Sequence, residues 1–273
     1  MVGCFSFVVQ AHVRMKANEM KILERRKVIV QTLQEHGEAD INELAKRLDV
    51  SSMTVRRDLK ALEQNGTVSI SQGVVILNDG ALQEYNMLFK RQINLSEKRR
   101  IAEKALEYVN EGESIFLDTG TTVKELASLI NRFNSITVMT DSLLVANAVA
   151  DARGSANLVM CPGTFREMSM AFFGPMTDDF VNNFKIDKFF LSVEGVSLSN
   201  GVSVIDVLDG HTKRNLVERA EQVICLADSS KFEKSLFYSI APLDSVDLFI
   251  TDDGLCDELC ERYLQAGAHI ERV

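Results

Sequence analysis

Residues 51–66, SSMTVRRDLKALEQNG, constrain this chain more than any other stretch, because they can form little other than one short helix with two unlike faces. Val55, Leu59 and Leu62 fall at i, i+4 and i+7 and make an apolar stripe; Thr54, Arg56, Arg57 and Lys60 lie off it. Ser51 or Ser52 can cap the start, since a hydroxyl there accepts from an orphan N–H. Gly66 can end the helix in a left-handed conformation. A basic helix with a buried back and small polar residues at its start has the shape that enters the DNA major groove. A merely solvated amphipathic helix would carry the same charges, so the neighbouring segments decide.

Upstream, ADINELAKRLDV places Ile41, Leu44, Ala45 and Leu48 on one face of a second short helix. Asp40 is its expected N-cap, with Glu43 in a capping-box position. Asp49-Val50-Ser51 is a break of the length a helix-turn-helix needs. Met20 to His36 predicts a longer helix offering Ile22, Ile29, Val30 and Leu33 to a core, stopped by Gly37. Downstream, Thr67–Ser71 and Val74–Leu77 read as a hairpin around Gln72-Gly73. Three helices followed by a hairpin predict a winged helix-turn-helix. The wing carries no Lys or Arg, so its expected share of affinity is small.

The chain is acidic, with formal net charge −9, so DNA cannot be held by the overall field. Residues 1–90 hold 12 Lys and Arg against 11 Asp and Glu, whereas residues 91–273 hold 18 against 28. The basic groups must act locally, from the 51–66 helix and from Lys21, Arg25, Arg26 and Lys27. The acidic second part repels DNA and confines binding to one end.

A length of 273 residues predicts two domains. No apolar run reaches the roughly 18 residues that a membrane span requires. Residues 1–14, MVGCFSFVVQAHVR, lack the basic start and cleavage site of a signal peptide. They fit neither domain, and translation from Met15 or Met20 would omit them. Cys4, Cys161, Cys225, Cys256 and Cys260 have no spacing that suits disulfides or a metal, so reduced core thiols are expected. The expected organisation is an unassigned extension at 1–19, the winged helix-turn-helix at 20–78, a helical linker at 79–94, centred on ALQEYNMLFKRQIN, and an α/β domain at 95–273.

That last domain alternates helix and strand: helix Ser96–Asn110, strand Ser114–Leu117, helix Val123–Asn131, strand Ile136–Met139, helix Ser142–Ala150 and strand Asn157–Cys161. A loop, Gly163–Gly174, leads to helix Met176–Phe184 and strand Lys188–Val193. Helix Thr212–Ala220, strand Gln222–Ala227, strand Leu248–Thr251, helix Leu255–Ala266 and a short last strand complete it. Such alternation predicts a mostly parallel, Rossmann-like sheet with helices on both faces. Ligands bind such sheets at the carboxyl ends of their strands.

The first strand-end loop, Asp118-Thr119-Gly120-Thr121-Thr122, opens a helix whose free N–H groups and hydroxyls suit an anion. It is neither a Walker A loop nor a dinucleotide loop, which disfavours a nucleotide-binding module. Four further strand ends carry Thr140-Asp141-Ser142, Pro162-Gly163-Thr164-Phe165-Arg166, Glu194-Gly195-Val196-Ser197 and Asp228-Ser229-Ser230-Lys231. On one rim they would offer N–H groups, Arg166 and a lysine to a phosphate, and carboxylates to sugar hydroxyls.

MTVRRDLKALEQNG, from Met53 to Gly66, resembles the DNA-binding signature of the DeoR-type bacterial transcription regulators. Thr54, Arg56, Arg57, Asp58 and Leu59 fall on its usual positions. LDTGTT at 117–122, DSLLVAN at 141–147, DKFFLSVEGVS at 187–197, HTKRNLVERA at 211–220, LADSSKF at 226–232 and ITD at 250–252 resemble its sensor-domain blocks. The resemblance spans Met20 to Val273. It implies a sensor domain akin to ribose-phosphate isomerase that binds phosphorylated sugars. It further implies a repressor of a sugar-utilisation operon, released when the sugar phosphate is bound.

On this reading Ser52, Thr54, Arg56, Arg57 and Lys60 face operator DNA, with Arg57 on the backbone or paired with Asp58. The effector set is Asp118, Gly120, Thr121, Thr122, Asp141, Ser142, Arg166, Glu194, Gly195, Lys213, Asp228 and Lys231. Lys213 enters through its place in the 211–220 block. The family usually has His-Gly-Gly where this wing has Ser71-Gln72-Gly73, Asn where this chain has Asp141, and Gly-Gly where it has Pro162-Gly163. It usually has an acidic residue shortly before Lys213, for which Asp209 is the nearest candidate. Expected partners are double-stranded DNA, a phosphorylated sugar and a second copy or more, as a dimer or tetramer. No cofactor, metal or membrane contact is expected, and the place of action is the bacterial cytoplasm, on the nucleoid when bound. The alternative is a sugar-phosphate isomerase with a DNA-binding appendage, using Asp228, Lys213 and Glu194 as acid and base groups.

Overall fold

A computed structural model describes residues 36–64, 67–71, 73–77 and 93–273, together with residues 22, 25, 26, 28–30, 32 and 33. The extension at 1–19, Lys21, Lys27, Cys4, the Gly66 cap, Gln72 and the linker as far as residue 92 lie outside the described residues. Contacts divide the chain after Ile93 into two compact units.

In the first unit the described residues from 22 to 36 are helical, and Gly37 ends them at φ 79°, its N–H donating to the Leu33 carbonyl at 2.8 Å. Strand β1 (Glu38–Asp40), helix α1 (Ile41–Arg47), helix α2 (Ser52–Gln64) and strands β2 (Val68–Ser71) and β3 (Val74–Leu77) follow. Asp40 caps α1, its Oδ1 accepting from the N–H groups of Asn42 at 2.7 Å and Glu43 at 3.3 Å. Ser51 caps α2, accepting from the Thr54 N–H at 3.2 Å, which leaves Ser52 exposed. Ile29, Val30, Leu33, Ile41, Leu44, Val55, Leu59, Leu62 and Val75 form one core. Fully burying each such side chain contributes about 1.5–3 kcal/mol. Sequence reading missed β1, which pairs with β3 and makes the wing a three-stranded antiparallel sheet in the order β1-β3-β2. Glu38-Ala39-Asp40 has too little apolar character to announce a strand.

The second unit runs α3 (Leu95–Leu106), β4 (Ser114–Leu117), α4 (Thr121–Ala127), β5 (Thr137–Thr140), α5 (Leu143–Asp151), β6 (Asn157–Met160), β7 (Thr164–Arg166), β8 (Ala171–Phe173) and α6 (Pro175–Val181). It continues with β9 (Lys188–Leu191), β10 (Gly195–Ser197), β11 (Gly201–Val204), α7 (Val207–Arg219), β12 (Gln222–Leu226), β13 (Tyr238–Ala241), β14 (Leu248–Thr251), α8 (Asp257–Gln265) and β15 (Ile270–Arg272). Seven strands form a fully parallel sheet in the order β15-β14-β12-β9-β4-β5-β6. Its five inner strands are buried on both faces, while the edge strands β6 and β15 are partly exposed. Phe116, Phe189, Cys225 and Phe249 point to one core; Ile115, Leu117, Phe190, Ile224 and Ile250 alternate with them into the other.

The stretch expected as a loop at 163–174 holds the β7–β8 hairpin. Strands β10, β11 and β13 form a second, antiparallel sheet that periodicity did not reveal. Among the four described cysteines Cys161, Cys225 and Cys260 are buried thiols, while Cys256 is exposed and so is not the core thiol expected.

Candidate functional site

Helix α2 presents Ser52, Met53, Arg56, Arg57 and Lys60 to solvent and keeps Thr54 half-buried, with its hydroxyl 2.9 Å from Ser51 Oγ. Val55 and Leu59, wholly buried, pin the opposite face to the core. Asp58 does not pair with Arg57. It is 2% exposed and accepts from Arg25 Nε at 2.7 Å and Arg26 Nε at 3.2 Å. Neighbours i and i+1 diverge on a helix, so Arg57 points elsewhere. Arg25 and Arg26 are therefore committed to holding α2, rather than forming the free basic surface expected of them. Met53, 68% exposed at the first turn of α2, is an apolar member of this face that charge-based reading passed over.

In the second unit β4, β5 and β6 succeed one another to one side, while β9, β12, β14 and β15 lie to the other. The order therefore reverses between β4 and β9, and the crevice at such a reversal is where parallel sheets take ligands. Asp118 stands there, wholly buried. It accepts from the N–H groups of Thr119 at 2.8 Å and Ser192 at 2.7 Å, and from Lys213 Nζ at 2.6 Å. Lys213, 2% exposed, reaches in from α7, gives a second hydrogen bond to the Ser192 carbonyl at 3.0 Å and pairs with Asp209 Oδ1 at 3.2 Å. A side chain at Gly120 would collide with Ser192, so only glycine lets the β4 and β9 ends close on each other.

The Thr121, Thr122 and Val123 N–H groups precede the first helical bond of α4, from Lys124 to the Gly120 carbonyl at 2.9 Å, and Gly120 has no side chain to cap them. Thr121 and Thr122 are buried. Asp141, 1% exposed, follows β5, and Ser142 caps α5 with its Oγ accepting from Val145 at 3.4 Å. The β7–β8 hairpin closes over these ends: Phe172 donates to the Asp141 carbonyl at 2.9 Å, and the Thr119 hydroxyl to the Ser169 carbonyl at 3.3 Å.

The charges here are strongly coupled. Burial alone would depress Lys213, but Asp118 and Asp209 outweigh it and hold the amine protonated. Burial raises the Asp118 carboxyl against the pull of Lys213. Asp141 is raised well above the usual carboxylate range, first by burial and then by repulsion from Asp118. Asp209 is pushed up to about 7, burial outweighing Lys213.

Of the other expected effector residues, Glu194 repels Asp209 in this knot. Arg166 pairs with Asp206, the N-cap of α7, at 2.7 Å. Glu194 accepts from the Ile205 N–H at 3.2 Å, and Gly195 packs against Lys234 and Ser203. Asp228 accepts from Asn94 Nδ2 at 3.2 Å and from Ser230. Burial acts to raise Asp228, yet Lys231, Ser230, Lys98 and Asn94 together hold it below the usual range. The structure thus brings Asp118, Asp141 and Lys213 together and gathers Asp228 and Lys231 at a separate point. Ser192 and the buried Lys98 were missed, although Ser192 directly follows the apolar run KFFL.

Residues 93–253 match the DeoR C-terminal sensor domain, and residues 25–80 match the DeoR-like helix-turn-helix domain. The chain belongs to the DeoR family. It is similar to the HTH-type transcriptional regulator IolR of Bacillus subtilis, 30% identical over 256 residues, covering 92% of this chain and 98% of that protein. It is also similar to the HTH-type transcriptional repressor GlcR of Bacillus subtilis, 30% identical over 242 residues, covering 86% and 92%. The L-fucose operon activator of Haemophilus influenzae is 29% identical over 244 residues, covering 88% and 96%. Among solved structures, ribose 5-phosphate isomerase A from Methanocaldococcus jannaschii overlaps 51% of this chain and 55% of its own, at 16% identity and a TM-score of 0.37. A likeness of that degree carries no inference about chemistry. This DeoR-family chain is a DNA-binding transcription regulator rather than an enzyme, which sets the isomerase alternative aside. Among the described residues no helix is long and apolar enough to cross a membrane.

Proposed function

We propose that this regulator represses a carbohydrate-utilisation operon in the cytoplasm and releases its operator when a phosphorylated sugar binds the strand ends of its sensor unit. The observation that carries the effector half is the uncapped start of α4 at the sheet's reversal point. There the N–H groups of Thr121, Thr122 and Val123 and two threonine hydroxyls stand beside the buried carboxyls of Asp118 and Asp141. A phosphate suits the first group and sugar hydroxyls the second. Lys213 positions Asp118 and ties α7 to the reversal point; Ser142, Glu194 and Gly195 shape the rim. Arg166, Asp228 and Lys231 belong to its outer part.

On the DNA side, Ser52, Thr54, Arg56, Arg57 and Lys60 are the contact residues, with Met53 suited to a thymine methyl. Two copies presenting two α2 helices would read paired half-sites. Release requires the effector to bind the operator-competent and operator-free states with different affinity. The name of one relative, the L-fucose operon activator, supports a carbohydrate operon, and because that relative is an activator the sign of regulation needs its own test. Thermal-shift measurement against phosphorylated sugars tests the effector: a ligand that binds only the folded protein raises its melting temperature. No shift with any phosphorylated hexose, pentose or triose would refute this half of the proposal. For the DNA half, Arg56→Ala should lose operator affinity.

A further inference from the structure

The chain enters the second unit at Asn94, the N-cap of α3, whose carbonyl accepts from the Lys98 N–H at 2.9 Å. An N-cap asparagine usually turns its side-chain oxygen onto first-turn N–H groups. Asn94 makes no such bond. Its backbone is left-handed, at φ 52°, a conformation that asparagine tolerates better than most residues. Its amide instead donates from Nδ2 to Asp228 Oδ1 at 3.2 Å, 134 residues further along the chain. The residue just before it, Ile93, packs against the core of the first unit. One peptide bond therefore separates a side chain held by the DNA-binding unit from one held by a strand end of the sensor unit.

Asp228 is 2% exposed and follows β12, the neighbour of β9 at the reversal point. Asn94 and Lys98 bear on it from α3, and Ser230 and Lys231 from its own loop. The loop is also braced from β14: Ser229 donates from its N–H to Asp252 Oδ2 at 2.6 Å and from its hydroxyl to Asp252 Oδ1 at 2.9 Å. A side chain at Gly254 would collide with both Ser229 and Asp252. A loop braced in this way moves as one piece.

We infer that Asn94 and Asp228 are the coupling pair of this regulator: their hydrogen bond belongs to the operator-binding form, and an anionic ligand at the strand ends breaks it. The ligand and the Asp228 carboxylate carry charge of the same sign, and both draw on Lys231. The repulsion moves the Asp228 loop and withdraws the acceptor from Asn94, so the ligand favours the form that has lost the bond. The ligand half of the inference rests on the reading of these strand ends as the effector site; the part played by the pair in operator binding does not.

The test is operator binding by the full chain, read by fluorescence anisotropy on a duplex selected from random sequence, for Asn94→Asp, Asp228→Asn and the double variant. Aspartate also tolerates the left-handed backbone, but it sets a second carboxylate against Asp228. Asn94→Asp should weaken sugar-free operator binding about tenfold or more. The double variant restores a donor and an acceptor with their places exchanged and should recover most of that loss. A pair that only supports the fold would lower the melting temperature of Asn94→Asp and leave operator affinity unchanged, which overturns the inference. A double variant that binds operator no better than Asn94→Asp overturns it as well. If Asn94→Asp fails to fold, Asn94→Gly keeps the left-handed backbone and removes the donor, and unchanged operator affinity there is equally fatal. The ligand probe is whichever of glucose 6-phosphate, fructose 6-phosphate, ribose 5-phosphate and glyceraldehyde 3-phosphate most raises the melting temperature. It should weaken operator binding by the unaltered protein and add no further weakening in Asn94→Asp. An undiminished response in Asn94→Asp overturns the inference and leaves the phosphorylated-sugar reading standing. No melting shift with any of the four overturns the ligand half, while the sugar-free variants still decide the pair.

Discussion

A buried knot of charge stands in each unit, Asp58 in the first and Lys213 in the second, and the two are built with opposite surpluses. In the first, one carboxylate, Asp58, meets two guanidinium groups, and each of its oxygens has its own partner. In the second, one ammonium, Lys213, pairs with the carboxyls of Asp118 and Asp209 and feels that of Asp141, and two oxygens are left without hydrogen bonds. The first knot is closed and acts as scaffolding: it fastens α2 to Arg25 and Arg26 of the helical residues before Gly37 and adds positive charge to the unit that meets DNA. The second is open on the acceptor side. A buried polar group without a partner is a cost, and a sugar hydroxyl or a water that supplied the missing donor would remove it.

The comparison can be broken most sharply at Lys213. Lys213→Met should destabilise the sensor unit by about 3–5 kcal/mol, because it strands buried carboxyls beside one another. Urea denaturation followed by circular dichroism reads this, and a loss below about 1 kcal/mol would show that the ammonium is not the keystone. Asp58→Asn should cost less, about 1–3 kcal/mol, since Arg25 and Arg26 are part-exposed and can turn to water. A larger loss there than at Lys213 would invert the contrast between the knots.

Arg56→Ala should leave stability within about 0.5 kcal/mol, as a surface change, yet weaken operator binding by about 1–3 kcal/mol if its fork reads guanine. Unchanged operator affinity would remove Arg56 from the reading face. The smallest expected effect concerns pH. Asp209 is raised to about 7 in the fold, whereas an unfolded aspartate titrates near about 4. The folded state thus holds a proton that the unfolded chain has lost, and this contribution is full below about 4 and fades as pH rises towards 7. Asp209→Asn should flatten that part of the stability profile, measured as melting temperature between pH 4 and about 7. An unaltered slope would mean that the carboxyl is not held protonated.

The elements that could be read in advance are those whose signals are local. Ser114–Leu117 and Leu248–Thr251 are short apolar runs between turns, and the strands occupy those residues. Val55, Leu59 and Leu62 announce their burial by spacing alone. What stayed hidden depends on distant partners or on unmarked turns. The β7–β8 turn uses Met170 at φ 52°, with no Gly or Asn to flag it. Strand β11 exists because Val202 meets Ala241 on β13, far along the chain. At the site, the strand-end rule found Asp118, Thr121 and Asp141. It could not foresee that Lys213, 95 residues away, would spend its protons on Asp118 and Asp209 instead of waiting for a phosphate. Nor could it foresee that Arg166 would turn to Asp206.

The most direct measurement is fluorescence anisotropy of a DNA duplex that the protein selects from random sequence, titrated with protein in the presence and absence of the sugar phosphate that most raises its melting temperature. The expected result is an operator affinity about tenfold or more weaker with the sugar bound, and no such weakening when Thr121 and Thr122 are both replaced by alanine. A sugar phosphate that stabilises the protein yet leaves operator affinity unchanged would contradict a sensor unit that governs the DNA-reading helix.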